Sequence, residues 1–180
     1  MDRAIRKDPA RVVFGAIAAV CAASLAVALF AQHALDLQPC AWCILQRMIV
    51  IAIGALALAA FWARGWPATG RRRVASVLLG AGTLVLATLG LVAAYHQHTV
   101  AAKSLSCAFT WADRFLMSAG LDQWWPWMFR VGATCADAAL ARLLGLPVEY
   151  WSGALFLLTG GAVVALVLVL LTSGRGAQSD

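Results

Sequence analysis

The stretch Gln38-Pro39-Cys40-Ala41-Trp42-Cys43-Ile44-Leu45-Gln46-Arg47 runs directly into the apolar segment Met48 to Ala63. That segment supplies sixteen uncharged residues, short of the about 20 needed to cross a hydrocarbon core about 30 Å thick. A helix that begins near Cys40 makes up the length. The two cysteines then stand at the mouth of a transmembrane span, with Arg47 just inside its interface. A Cys-x-x-Cys pair at a helix start suits thiol redox chemistry, because the positive end of the helix stabilises a thiolate.

Three further stretches, Val12 to Ala31, Val74 to Tyr95 and Trp151 to Leu171, are long, apolar and free of Asp, Glu, Lys and Arg. With 63% of its 180 residues hydrophobic and 12% charged, and a mean hydropathy of +0.83, the chain departs far from soluble averages of about half apolar and a quarter charged. We expect an all-α integral membrane protein: a single-domain, four-transmembrane-helix bundle over residues 1–180. The expected spans are 12–31, 41–63, 74–95 and 149–172, with a short outer loop at 32–40 and a long second outer loop, 96–148, carrying short helices. The basic start followed by about 20 apolar residues exceeds the usual 7 to 15 of a signal-peptide core, so we expect a retained first span. Gly15, Ala19 and Ala23 make a small-residue stripe for helix packing. Cys21, among apolar neighbours, reads as a small core hydrophobe.

The net charge of +6 is unevenly spread. Arg3, Arg6, Lys7 and Arg11 precede the first span, Arg64, Arg71, Arg72 and Arg73 join the second to the third, and Arg175 follows the fourth. These nine of fourteen basic residues mark one face, which the positive-inside rule makes cytoplasmic together with both termini. They are topology signals rather than a nucleic-acid footprint, since no soluble basic domain carries them. The cysteines fall on the opposite face, where disulfides form and persist.

Residues 96–148 are too many for a simple connection and rich in Trp, Phe and Met. The segment Leu121 to Phe129, with Trp124, Trp125 and Trp127, is expected either on the bilayer surface or in a small loop core. A short helical pattern follows Cys135, with Ala136, Leu140, Leu143 and Leu144 on one side, and ends at Gly145 and Pro147. Cys107 and Cys135 lie twenty-eight positions apart in this loop. Four cysteines on one face allow three pairings, and the sequence does not choose among them. Redox logic favours Cys40 with Cys43 and Cys107 with Cys135, two disulfides able to exchange electrons through mixed disulfides. Zinc fits poorly, because one Cys-x-x-Cys has no second beside it and the face is oxidising. Haem attachment would need a histidine where Ile44 stands. Arg47 reads either as functional, as charges within spans usually are, or as a snorkelling side chain. Its spacing from Cys40 and Cys43 sets all three on one helical face if the helix starts early enough. His96 and His98, taken alone, read as interfacial.

Cys40-Ala41-Trp42-Cys43, Arg47 four residues later, His98-Thr99 after the third span, Cys107 and Cys135 in the second outer loop, and the four spans together resemble the disulfide bond formation protein B (DsbB) family. The likeness covers essentially the whole chain, including Phe30-Ala31-Gln32-His33 and Gly145-Leu146. It implies a thiol:quinone oxidoreductase of the bacterial inner membrane. A periplasmic DsbA-like oxidase of thioredoxin fold would attack Cys107 of a Cys107–Cys135 disulfide. The resulting dithiol would reduce a Cys40–Cys43 disulfide, whose electrons would reach a membrane quinone, ubiquinone or menaquinone. Cys43 corresponds to the family's quinone-facing thiolate, Arg47 to the cation that stabilises developing negative charge, and His98 to a quinone-proximal histidine. Gln46 stands where an acidic residue is familiar. The competing readings are a vitamin K epoxide reductase-like enzyme, in which the motif lies late in the helix order, and a non-enzymatic four-span protein with structural disulfides.

Overall fold

A computed structural model of the chain describes residues 8–65, 69–101 and 111–176. Cys107 and Lys103 lie outside the described residues. Four helices are long and apolar enough to cross a membrane: α1 (Pro9–Ala34), α2 (Ala41–Ala63), α3 (Thr69–Thr99) and, after the loop, α8 (Val148–Gly176). The protein is a four-helix, multi-pass membrane bundle. Helix α2 packs between α1 and α3, α3 packs against α8, and a smaller α1–α8 contact completes the ring.

Each end of these helices follows from local chemistry. Asp8 caps α1, its carboxylate accepting from the Ala10 amide at 3.2 Å, and Pro9 occupies the first turn, where its missing N–H costs nothing. The same carboxylate receives a two-pronged bond from Arg64 at the end of α2, Nε to Oδ2 at 2.8 Å and NH2 to Oδ1 at 2.6 Å. That pair ties the start of α1 to the end of α2. At the other end of α1, Asp36 takes the left-handed conformation (φ 52°). The Leu37 amide returns to the Ala31 carbonyl, turning the chain sharply toward Cys40.

Phe14, Ile17, Val50, Ile53, Phe156 and Val163 interlock at the bundle axis, with Cys21 among them as the small hydrophobe expected. Gly90 is required there, because a Cβ would collide with the Phe156 ring. Small residues let helices approach where no hydrophobic force drives them together within lipid. Val20, Val27, Leu58, Leu78, Leu89 and Leu158 face outward, as a lipid-facing surface requires.

Helix α3 continues beyond the span expected at 74–95. Nothing between Leu91 and Val100 breaks it, so His96, Gln97 and His98 belong to its last turn rather than to a loop. The long loop carries α4 (Trp111–Ala119), the single turns α5 (Leu121–Trp124) and α6 (Pro126–Phe129), and α7 (Cys135–Leu140). Trp124, Trp125 and Trp127 are exposed. The helix after Cys135 is shorter than its apolar pattern implies. It stops at Ala141, and residues 142–147 form a hairpin, β1 (Arg142–Leu143) against β2 (Leu146–Pro147). Leu144 (φ 52°) and Gly145 (φ 83°) make its two-residue turn, the geometry of a type I′ connection. Leu143 and Leu144 therefore leave the helical face assigned to them.

Candidate functional site

The site grows from the first turn of α2. Cys40 is the N-cap residue, in extended conformation, and Cys43 follows among the amides that lack partners within the helix. The two sulfurs lie 3.3 Å apart without a bond between them. Cys40 is completely buried, and Cys43 is half-buried.

The long loop is fastened beside this pair by main chain. The Pro39 carbonyl accepts from the amides of Gly132 at 3.0 Å and Ala133 at 3.3 Å. Glycine suits position 132 because a Cβ would meet Gln38, at 2.5 Å from its Oε1 and 3.1 Å from its Cβ. Thr134 then caps α7, its Oγ1 accepting from the Asp137 amide at 3.2 Å, and Cys135 occupies the first position of that helix. Cys135 packs into the same cluster as Cys40 and Cys43, close enough for the sulfurs to bear on one another's titration. Cys40 therefore stands between two sulfurs. Its thiol is raised well above its ordinary value, first by the hydrogen bond with Cys135, then by that with Cys43, and then by burial. Cys135 is displaced the other way. The Cys40 hydrogen bond lowers it, burial opposes, and the Trp42 main chain adds to the lowering. The two shifts favour the proton on Cys40 over Cys135, and the thiolate is the nucleophilic form of a cysteine.

One turn further into the membrane, Arg47 is buried. Its NH1 donates to Gln32 Oε1 at 2.8 Å and to the Met128 carbonyl, while Nε has no partner among the described residues. Gln32 Nε2 and His33 Nε2 both reach the Trp127 carbonyl, at 3.3 and 2.9 Å. The short turn α6 is thus gripped by its C-terminal carbonyls, the electronegative end of a helix. Gln32, His33, Gln38, Pro126, Trp127 and Arg130 line a cleft of about 250 Å³ at this junction.

A second set of polar side chains faces Cys43. Gln97 Nε2 donates to its sulfur at 3.3 Å, Gln46 Nε2 donates to Gln97 Oε1 at 2.7 Å, and the Ser152 hydroxyl donates to Gln46 Oε1. His96 stacks on Trp42, with ring centroids 4.6 Å apart, and its Nδ1 has no partner among the described residues. His98 is engaged elsewhere. Its Nδ1 lies 3.2 Å from Glu149 Oε1 and its Nε2 3.3 Å from the Tyr150 hydroxyl.

Of the residues singled out from sequence, Cys40, Cys43 and Cys135 meet at one point, with Arg47 a turn below on the same helix. His98 sits across α3, paired with Glu149. Gln97 and Glu149 were missed. Their available signal was polarity, for a glutamine or glutamate at the edge of an apolar span needs a partner, but spacing did not say which.

Sequence comparisons place the chain among known proteins. The family model for disulfide bond formation protein DsbB matches residues 10–168. The chain is 32% identical over 162 residues to disulfide bond formation protein B of Nitrosospira multiformis, covering 89% of this chain and 93% of that protein. It is 33% identical over 173 residues to the protein of the same name from Nitrosomonas europaea, covering 94% and 98%. For that of Dechloromonas aromatica the identity is 32% over 174 residues, covering 94% and 97%. With its four membrane helices, its juxtaposed cysteines and a match spanning almost its whole length, the chain belongs to the DsbB family of disulfide bond formation proteins.

Proposed function

We propose that the protein is a dithiol:quinone oxidoreductase of the bacterial inner membrane that reoxidises a periplasmic DsbA-like oxidase. The observation that carries this reading is that the Cys40 sulfur lies 3.3 Å from that of Cys43 while Cys135 packs into the same buried cluster. A sulfur so placed can form a disulfide with either neighbour after small movements, which is what passage between two cysteine pairs requires. The basic residues clustered before α1 and between α2 and α3 support cytoplasmic termini and periplasmic cysteines.

The exchange balances as follows. A thiolate of the reduced partner attacks Cys107 of the Cys107–Cys135 disulfide, forming a mixed disulfide and releasing the Cys135 thiolate. The partner's second thiolate breaks that mixed disulfide, leaving the partner oxidised. Cys135 then attacks Cys40 of the Cys40–Cys43 disulfide and releases Cys43, and Cys107 resolves the Cys135–Cys40 bond. Two electrons now reside in the Cys40–Cys43 dithiol, and the Cys107–Cys135 disulfide is restored.

A quinone, when bound, supplies the final sink for two electrons and two protons. The residues beside Cys43 fit such a group. Arg47 Nε is a buried donor without a partner among the described residues, and His96 Nδ1, a donor when it carries the ring proton, is likewise buried without one, as the carbonyl oxygens of a quinone would need, and the half-buried Met48 supplies apolar surface on α2. Arg47 would also favour negative charge there, where low dielectric strengthens the attraction. His98 belongs to the same proposed binding region through Glu149, although its two ring nitrogens are already engaged.

The test mixes purified protein with reduced DsbA-like oxidase and a soluble quinone and follows quinone absorbance. Turnover by the parent and none by Cys43→Ser is expected. Equal rates for the two would overturn the proposal.

A further inference from the structure

The row Ser152, Gln46, Gln97, Cys43 draws on three membrane helices, α8, α2 and α3, and ends on a sulfur. Gln46 and Gln97 are buried, so each amide group must find its partner inside the protein. The order of donors along the row is set from its far end. Ser152 gives its proton to Gln46 Oε1, which turns Gln46 Nε2 toward Gln97 Oε1 and so turns Gln97 Nε2 toward Cys43 Sγ. Reversing Gln97 alone would set two NH2 groups against each other. Reversal of the whole row needs Gln46 to turn as well and Ser152 to give its proton to the Glu149 carbonyl, 3.0 Å away.

We propose that Gln97 is a catalytic hydrogen-bond donor that holds Cys43 as a thiolate, and that Gln46 and Ser152 are positioning residues that keep its N–H aimed at the sulfur. The inference rests on the reading of Cys43 as a redox sulfur, and adds a group for which that reading had no role. A neutral donor suits this place. It stabilises the charged sulfur without adding a second cation beside Arg47, whose NH1 is already engaged by Gln32 and Met128. The other titratable or charged groups around Cys43 are Cys40 and Arg47 on α2, Cys135 on α7, His96 on α3 and Glu149 on α8.

The test measures alkylation of Cys43 by iodoacetamide across pH in the reduced full-length protein, with the Cys43 peptide quantified by mass spectrometry. A hydrogen bond to a charged group is strong enough to move a titration by about one pH unit. Gln97→Leu is expected to raise the midpoint by about one unit, and so to slow alkylation about tenfold at pH values below both midpoints. Gln97→Met keeps the side-chain length and removes the donor, so it should raise the midpoint about as far even if the leucine variant fails to fold. Ser152→Ala, remote from the sulfur, should raise it by a smaller amount. Parental midpoints in the folded Gln97 variants would overturn the proposal. The readout is independent of quinone reduction: a parent inactive with quinone but showing this Gln97 dependence would sink the proposed function and leave the donor assignment standing.

Discussion

Arg47, inside a membrane helix, donates to the main-chain carbonyl of Met128, which lies eighty-one positions further along the chain. One charged side chain thereby joins the interior of the bundle to the outer loop. Arg47→Ala should loosen that loop, seen as faster limited proteolysis within residues 120–131, and weaken apparent quinone affinity about tenfold, a loss of about 1.4 kcal/mol. An unchanged quinone KM would remove Arg47 from the binding region and leave it as a loop anchor.

Cys135 should react before Cys40. Its thiol is lowered by the Cys40 hydrogen bond, so its thiolate forms below the ordinary cysteine value of 9.0, whereas the same contact raises the Cys40 thiol. In reduced protein, alkylation of Cys135 should set in at lower pH than that of Cys40. Cys40→Ala removes the hydrogen bond and should move the Cys135 profile upward. Earlier reaction of Cys40 would contradict this assignment of the proton.

The Asp8–Arg64 pair makes a prediction about acid stability. Burial raises the Asp8 carboxyl, and the Arg64 hydrogen bond and charge lower it further, so it sits below its ordinary 3.8. A carboxylate lowered on folding stabilises the fold above its unfolded value, and that contribution disappears as pH falls through the folded value. Asp8→Asn, which keeps a good helix cap, should cost about 0.5–1 kcal/mol at neutral pH, and the difference from the parent should shrink in acid as the pH falls through the lowered Asp8 value. Thermal unfolding in detergent at neutral and acid pH checks this; a difference independent of pH would show that the charge is not involved.

Gly90→Ala should destabilise the bundle by about 1–3 kcal/mol, because the added methyl overpacks the contact with Phe156. Shrinking the partner should give part of that back, so Gly90→Ala with Phe156→Leu is expected to melt above the single variant. A double variant no more stable than Gly90→Ala would show that the strain lies elsewhere.

Hydropathy made the four helices legible, and spacing set Cys43 and Arg47 one turn apart on α2, because both are local periodic properties; Cys40, in extended conformation, stands just before that helix. What Arg47 and Gln97 touch was not. Met128 and Cys43 are brought to them by packing across 81 and 54 positions, and a polar residue on an apolar helix announces only that it needs a partner. The hairpin escaped for a different reason. Leu140, Leu143 and Leu144 have helical spacing, but Leu144 adopts a positive φ that a leucine does not advertise. Likewise, the motif His96-Gln97-His98 drew attention to its histidines, while helix geometry turned the glutamine toward the sulfur.

The hold of the Pro39 carbonyl on Gly132 and Ala133 bears on how such a protein can change over generations. The register between the two cysteine-bearing segments is written in backbone amides, which nearly every substitution preserves. Exposed side chains of the loop, Trp124 and Leu144 among them, are therefore free to drift toward new surfaces while Cys135 stays within reach of Cys40.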